Sequence, residues 1–124
     1  MDDRLRKEAG RAAEAAALAH LERAGLQLVV RNFRCKGGEI DLVMLDDATL
    51  VFVEVRYRSS EQFGGAAASV TWRKQRRLAN AAQYLLLTHQ ELRRYPARFD
   101  VVAISAAPKP GVDRVDWIKN AFTV

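Results

Sequence analysis

Apolar positions recur along the chain with two different periods, and the switches between them mark its elements. Residues 4–24 are Ala-rich with polar residues interspersed, a helix-forming composition, and Gly25 stands where a left-handed residue would end the helix. "LQLVVRNF" (26–33) alternates loosely and predicts a strand, and "CKGG" predicts a turn. Residues 40–45 and 50–57 are two apolar strands around an acidic turn. The small, polar stretch 59–69 predicts a loop, and Thr71 is placed to cap a helix over 72–89. A strand near 99–104, a loop at "APKPG" and a last short strand and turn in "VDRVDWIKNAF" follow. The order α-β-β-β-α-β-β predicts an α/β fold, a mixed β-sheet flanked by helices.

Charge interrupts the central hairpin. With a four-residue loop at 46–49, Leu45 faces Leu50, Val43 faces Phe52, Asp41 faces Glu54 and Glu39 faces Arg56. Residues two apart share a face, so these four charged residues gather at one end of one face. The other face holds Ile40, Leu42, Met44, Val51, Val53, Val55 and Tyr57. Opposed carboxylates destabilise a strand pair. Two resolutions stand open: a divalent cation such as Mg²⁺ between them, or an ion-pair network with Arg56, Arg31 or Arg34. A slip to a two-residue loop would set Glu54 opposite Glu39 instead. On the first helix, Glu14 shares a stripe with Ala17, Leu18 and Leu21, so it points either toward the sheet or, if the helix is rotated, to solvent.

At 124 residues one domain, 1–124, is expected. No apolar run is long enough to span a bilayer and no secretory pattern precedes the first helix, so a cytoplasmic protein without membrane association is expected. The single cysteine, Cys35, excludes an internal disulfide and reads as a packed or semi-exposed thiol. The net charge of +5 points to an anionic partner, nucleic acid first.

"AEAAALAHLERAG", "GEIDLV", "LVFVEVRYR", "KQRRLANAAQYL" and "RFDVVAI" occur in order. With these blocks the chain resembles the YraN family of small bacterial proteins from about residue 10 to 122. That family is similar to archaeal Holliday junction resolvases and to the PD-(D/E)xK, or restriction-endonuclease-like, nucleases. The resemblance implies a restriction-endonuclease-like core and cleavage of a DNA phosphodiester with Mg²⁺ or Mn²⁺. It implies Asp41, Glu54, the carbonyl of Val55 and Glu14 as metal ligands, and Asp41, Glu54 and Arg56 as catalytic residues. Arg56 falls where the family pattern has lysine; a guanidinium keeps its proton, so it acts as a fixed cation and never as a base. Lys74 is a second candidate for that role. Resolvases of this fold act as dimers, which makes a homodimer an expectation.

Around this site, Arg73, Lys74, Arg76 and Arg77 open the second helix and suit phosphate contacts. Trp72 is expected to be a half-buried anchor, with base stacking as the other reading. Glu39 is expected to pair with Arg56. Gln75 shares a stripe with Leu78, Ala79 and Ala82, and looks into the core or the site. His20 and His89 form no metal spacing and read as helix-surface residues; Asp100 reads as structural. Nothing resembles a base-reading motif, so recognition of DNA form, branched or damaged, is favoured. The alternative function is a nucleic-acid-binding module that keeps the nuclease fold without efficient cleavage. A third is an adaptor for an acidic protein.

Overall fold

The computed structural model describes residues 2–58, 70–105 and 114–123. Helix α1 (Asp3–Arg23) leads into strands β1 (Gln27–Cys35), β2 (Gly38–Asp46) and β3 (Thr49–Arg58). Helix α2 (Trp72–Thr88), a 3-10 turn (Gln90–Arg94) and strands β4 (Ala97–Ser105) and β5 (Arg114–Phe122) follow. The sheet order is β1-β2-β3-β4-β5. All neighbours are antiparallel except β3 and β4, which run parallel with α2 between them in the chain. This is the expected mixed sheet between helices, and it is compatible with a restriction-endonuclease-like core. The loops expected at 59–69 and at "APKPG" lie outside the described residues. No helix among the described residues is long and apolar enough to cross a membrane.

Local chemistry sets the helix ends. Asp2 accepts the Leu5 N–H at 2.8 Å to start α1. Gly25, with φ +98°, ends it: the Leu26 N–H reaches the Leu21 carbonyl and the Gly25 N–H that of Glu22, a Schellman motif. Thr71 accepts the Lys74 N–H to start α2. Ala13, Ala17 and Leu21 of α1 pack on Leu42, Met44, Val51 and Val53 on one face of the sheet. Leu78, Ala81, Ala82 and Leu85 of α2 pack on Ile40, Val43, Leu50 and Phe52 on the other.

The central hairpin keeps the expected register, Leu45 with Leu50 and Val43 with Phe52, but through a tighter turn. Asp46 pairs with Thr49, leaving Asp47 and Ala48 as the loop, with Asp47 at φ +52°. The two-residue loop therefore causes no slip; a paired Asp46↔Thr49 rung is what a four-residue loop lacks.

Gly38 lets α2 lie against the β1–β2 hairpin. A Cβ at this buried position would overlap the Arg77 carbonyl oxygen. Next to it, the Asn80 side-chain amide donates to the Gly37 carbonyl at 3.2 Å. Gly38→Ala is expected to cost about 1–3 kcal/mol or more in urea unfolding, because the obstacle is backbone and cannot rotate away. A change below about 0.5 kcal/mol would show that α2 is not held this closely.

Candidate functional site

The site forms where β2 and β3 part. Their pairing runs from Asp46↔Thr49 to Leu42↔Val53. Beyond that rung β2 stays with β1 as far as Cys35↔Gly38, and β3 stays with β4 as far as Arg58↔Ser105. Asp41 and Glu54 are thus not a ladder pair, and neither are Glu39 and Arg56, contrary to the sequence expectation. The Val55 N–H donates instead to Asp41 Oδ2 at 2.8 Å, so a side chain replaces the missing strand carbonyl. The facing pattern changes here too. Ile40 packs on the α2 side and Leu42 on the α1 side, although residues two apart in a regular strand share a face. Between the rungs Arg31↔Leu42 and Phe33↔Ile40 stands Asn32 at φ +55°, a conformation its short side chain tolerates.

The two carboxylates consequently enter the fork from different directions and meet different neighbours. Asp41 lines an open cleft of about 520 Å³ with Arg11 and Glu14 from α1, Asn32, Arg34 and Val55. Glu54 is buried, and its Oε1 lies 3.7 Å from Lys74 Nζ of α2. Glu14 turns inward but is held by Arg31, Nε to Oε1 at 2.9 Å. Glu39 pairs with Arg34 at 3.8 Å and not with Arg56. Arg56 stands close enough to Glu54 to favour its charged form, and its own Nε is buried without a hydrogen-bond partner among the described residues.

Burial dominates the electrostatics. It raises Asp41 from 3.8 to about 6, with Glu14 and Glu39 adding to the rise and the Val55 N–H and Lys74 opposing it. It raises Glu54 from 4.5 to about 7, with Asp41 adding and Lys74 and Arg56 opposing. Lys74 therefore serves both carboxylates. Among the described residues no three His, Cys, Asp or Glu side chains stand together as a ready-made metal shell. Two hard oxygen donors, Asp41 and Glu54, are gathered in the fork. That set fits an ion such as Mg²⁺, which binds through one or two carboxylates and keeps several waters.

The basic residues of α2 divide. Lys74 turns into the site, while Arg73, Arg76 and Arg77 line an open groove with Gly37, Trp72 and Asn80. Trp72 is 69% exposed, which corrects the expected half-buried anchor. The helical period carried both signals. Lys74 falls on the inward stripe of Leu78, Ala81 and Leu85, whereas Trp72 falls about 180° from Ala81. Gln75 donates to the Val70 carbonyl at 3.2 Å. Arg11 and Arg34, on the rim of the cleft, had no periodic signal that set them apart from other surface cations.

Other candidates hold the scaffold. Asp100 is fully buried and accepts from Arg98, Trp117 Nε1 and the Asn120 N–H. His20 packs edge-on against Trp117, and His89 ends α2. Cys35 packs against the core on the α2 side.

A family model described as "Uncharacterised protein family UPF0102" matches residues 13–104, a span that holds the whole fork and α2. The chain is 53% identical over 117 residues to a UPF0102 protein of Stutzerimonas stutzeri, covering 94% of this chain and 95% of that one. It is 55% identical over 117 residues to a UPF0102 protein of Xanthomonas euvesicatoria, covering 94% and 93%. A UPF0102 protein of Pseudomonas putida is 54% identical over 114 residues, covering 92% and 91%.

The raised carboxylates give stability a defined pH dependence. Between about pH 4 and 7 the folded chain holds protons on Glu54 and Asp41 that the unfolded chain has released, so stability falls as pH rises through this window. Glu54→Gln removes its share of that penalty. In EDTA the variant should match wild type near pH 4.5 and exceed it by on the order of 2 kcal/mol at pH 8. A difference independent of pH, or a variant less stable at pH 8, would show that Glu54 is not a desolvated acid.

Proposed function

The chain belongs to the UPF0102 family, and from that premise we propose that it is a Mg²⁺- or Mn²⁺-dependent endonuclease acting on DNA phosphodiesters, with branched or damaged DNA as the substrate class. The observation that carries this reading is the strand fork itself, with Glu54 buried, Asp41 half-buried on the cleft, and Lys74 3.7 Å from Glu54. The resemblance to the PD-(D/E)xK nucleases supports the same reading. Asp41, Glu54 and the Val55 carbonyl would hold the ion, and Glu14 would join them once Arg31 releases it. A bound ion of this kind neutralises phosphate charge and makes water a better nucleophile.

The chain's own residues do the rest. Lys74 and Arg56 supply fixed positive charge for the phosphoryl oxygens as negative charge grows there. The Arg56 Nε, without a hydrogen-bond partner among the described residues, is a donor suited to such an oxygen. Arg11 and Arg34 on the cleft rim hold the strand's flanking phosphates. Water attacks phosphorus in line, one P–O bond forms, the bond to the leaving oxygen breaks, and no covalent intermediate with the protein arises.

A second reading has its own support. The Glu14–Arg31 bond and Arg56 at the usual lysine position both favour a nucleic-acid-binding module that does not cleave efficiently. Single-turnover nicking of a four-way junction in Mn²⁺ separates the two. Wild type should cut and Glu54→Gln should not. Lys74→Ala should lose on the order of a hundredfold, as when one charge-stabilising donor is removed. Arg56→Lys should stay within about tenfold. Wild type that binds four-way, flap and linear DNAs yet leaves all of them intact with Mg²⁺ and Mn²⁺ would establish the binding module, and cutting in EDTA would remove the metal.

A further inference from the structure

The groove beside the fork is built unlike an ordinary solvated helix face. Trp72 opens α2 and is 69% exposed, a large apolar cost for a side chain with no core to serve. The Arg76 guanidinium lies over its ring at 5.0 Å, so one face of the indole is already occupied by a cation. Arg73 and Arg77 border the same groove, whose floor is fixed by the Asn80 bond to the Gly37 carbonyl. The charges are also misplaced for helix stability. The first turn of α2 has no acidic residue, and its cations crowd the end whose dipole favours anions. A phosphate there relieves what the helix alone does not. An aromatic platform between cations matches a nucleotide: a base for the ring and phosphates for the guanidinium groups.

We propose that this groove takes an unpaired nucleotide of the DNA, with its base stacked on Trp72 and its flanking phosphates held by Arg73, Arg76 and Arg77. The proposal rests on the DNA reading of the fork and narrows its substrate class to duplexes that carry a single-stranded extension, gap or open junction. A paired base in a continuous duplex has both faces covered by its neighbours and gives Trp72 nothing to stack on. Lys74, two residues after Trp72 and on the inward stripe, connects the groove to the carboxylates.

Tryptophan emission tests this directly, because the chain has two tryptophans and Trp117 is held by its bond to Asp100. Titrations in EDTA, at fixed salt, compare a blunt duplex with the same duplex carrying a single-stranded extension. The extended DNA should quench wild-type emission and bind about 5- to 150-fold tighter than the blunt one, the range corresponding to about 1–3 kcal/mol of stacking. Trp72→Ala should abolish the quench and bring the affinities for the two DNAs within about twofold of each other. Trp72→Phe should keep part of the preference. Equal binding of both DNAs by wild type, or a preference that survives in Trp72→Ala, overturns the stacking site and leaves the DNA reading intact. Failure of wild type to bind either DNA overturns both.

Discussion

One hydrogen bond lets the sheet divide. Past Leu42 and Val53 the two central strands follow different partners, and the half-buried Val55 N–H in the gap would otherwise have no strand acceptor. An unpaired buried donor costs about 1–3 kcal/mol. Asp41 Oδ2 accepts it, so β2 can leave β3 without that penalty. The fork then draws two carboxylates into the protein, opens the cleft under α1 and leaves room for Lys74 to enter from α2. The asymmetry of the site follows from the same bond, since it holds Asp41 at the cleft under α1 while Glu54 meets Lys74 of α2.

The arrangement works against stability. Two carboxylates are desolvated within each other's field, and a basic helix start opposes its own dipole. A fold optimised for stability alone would have apolar residues in the fork and acids at the start of α2. Local rules broken together, at one end of one sheet, are what a functional site is expected to show. The scaffold around it follows the rules: Schellman closure of α1, capped α2, and the Asp100 network tying β4 to β5.

Much of this was legible in the sequence because it depends on alternation and spacing. The helix and strand order and the Val43–Phe52 register come from periodicity. What escaped depends on departures from it. The hairpin turn is shorter because Asp47 adopts a left-handed conformation. Ile40 changes face because β2 loses its alternation at Asp41, beside the left-handed Asn32. Glu39 takes Arg34 because its strand leaves with β1. Residue type favours a half-buried Trp72, whereas its helical phase points it outward. Lys74, a second candidate for the site's cation in the sequence, has the inward phase that brings it to Glu54.

The proposed function requires the fork to be a divalent-metal site centred on Asp41 and Glu54. Thermal unfolding of wild type and Asp41→Asn in EDTA and in Mn²⁺ tests it without relying on activity. The asparagine carbonyl still accepts the Val55 N–H, so the fork persists while the ligand charge is lost. Mn²⁺ at about ten times its dissociation constant should stabilise wild type by about 1.4 kcal/mol, a shift of several degrees, and leave Asp41→Asn unmoved. Equal shifts in the two proteins, or none in either, would contradict the claim.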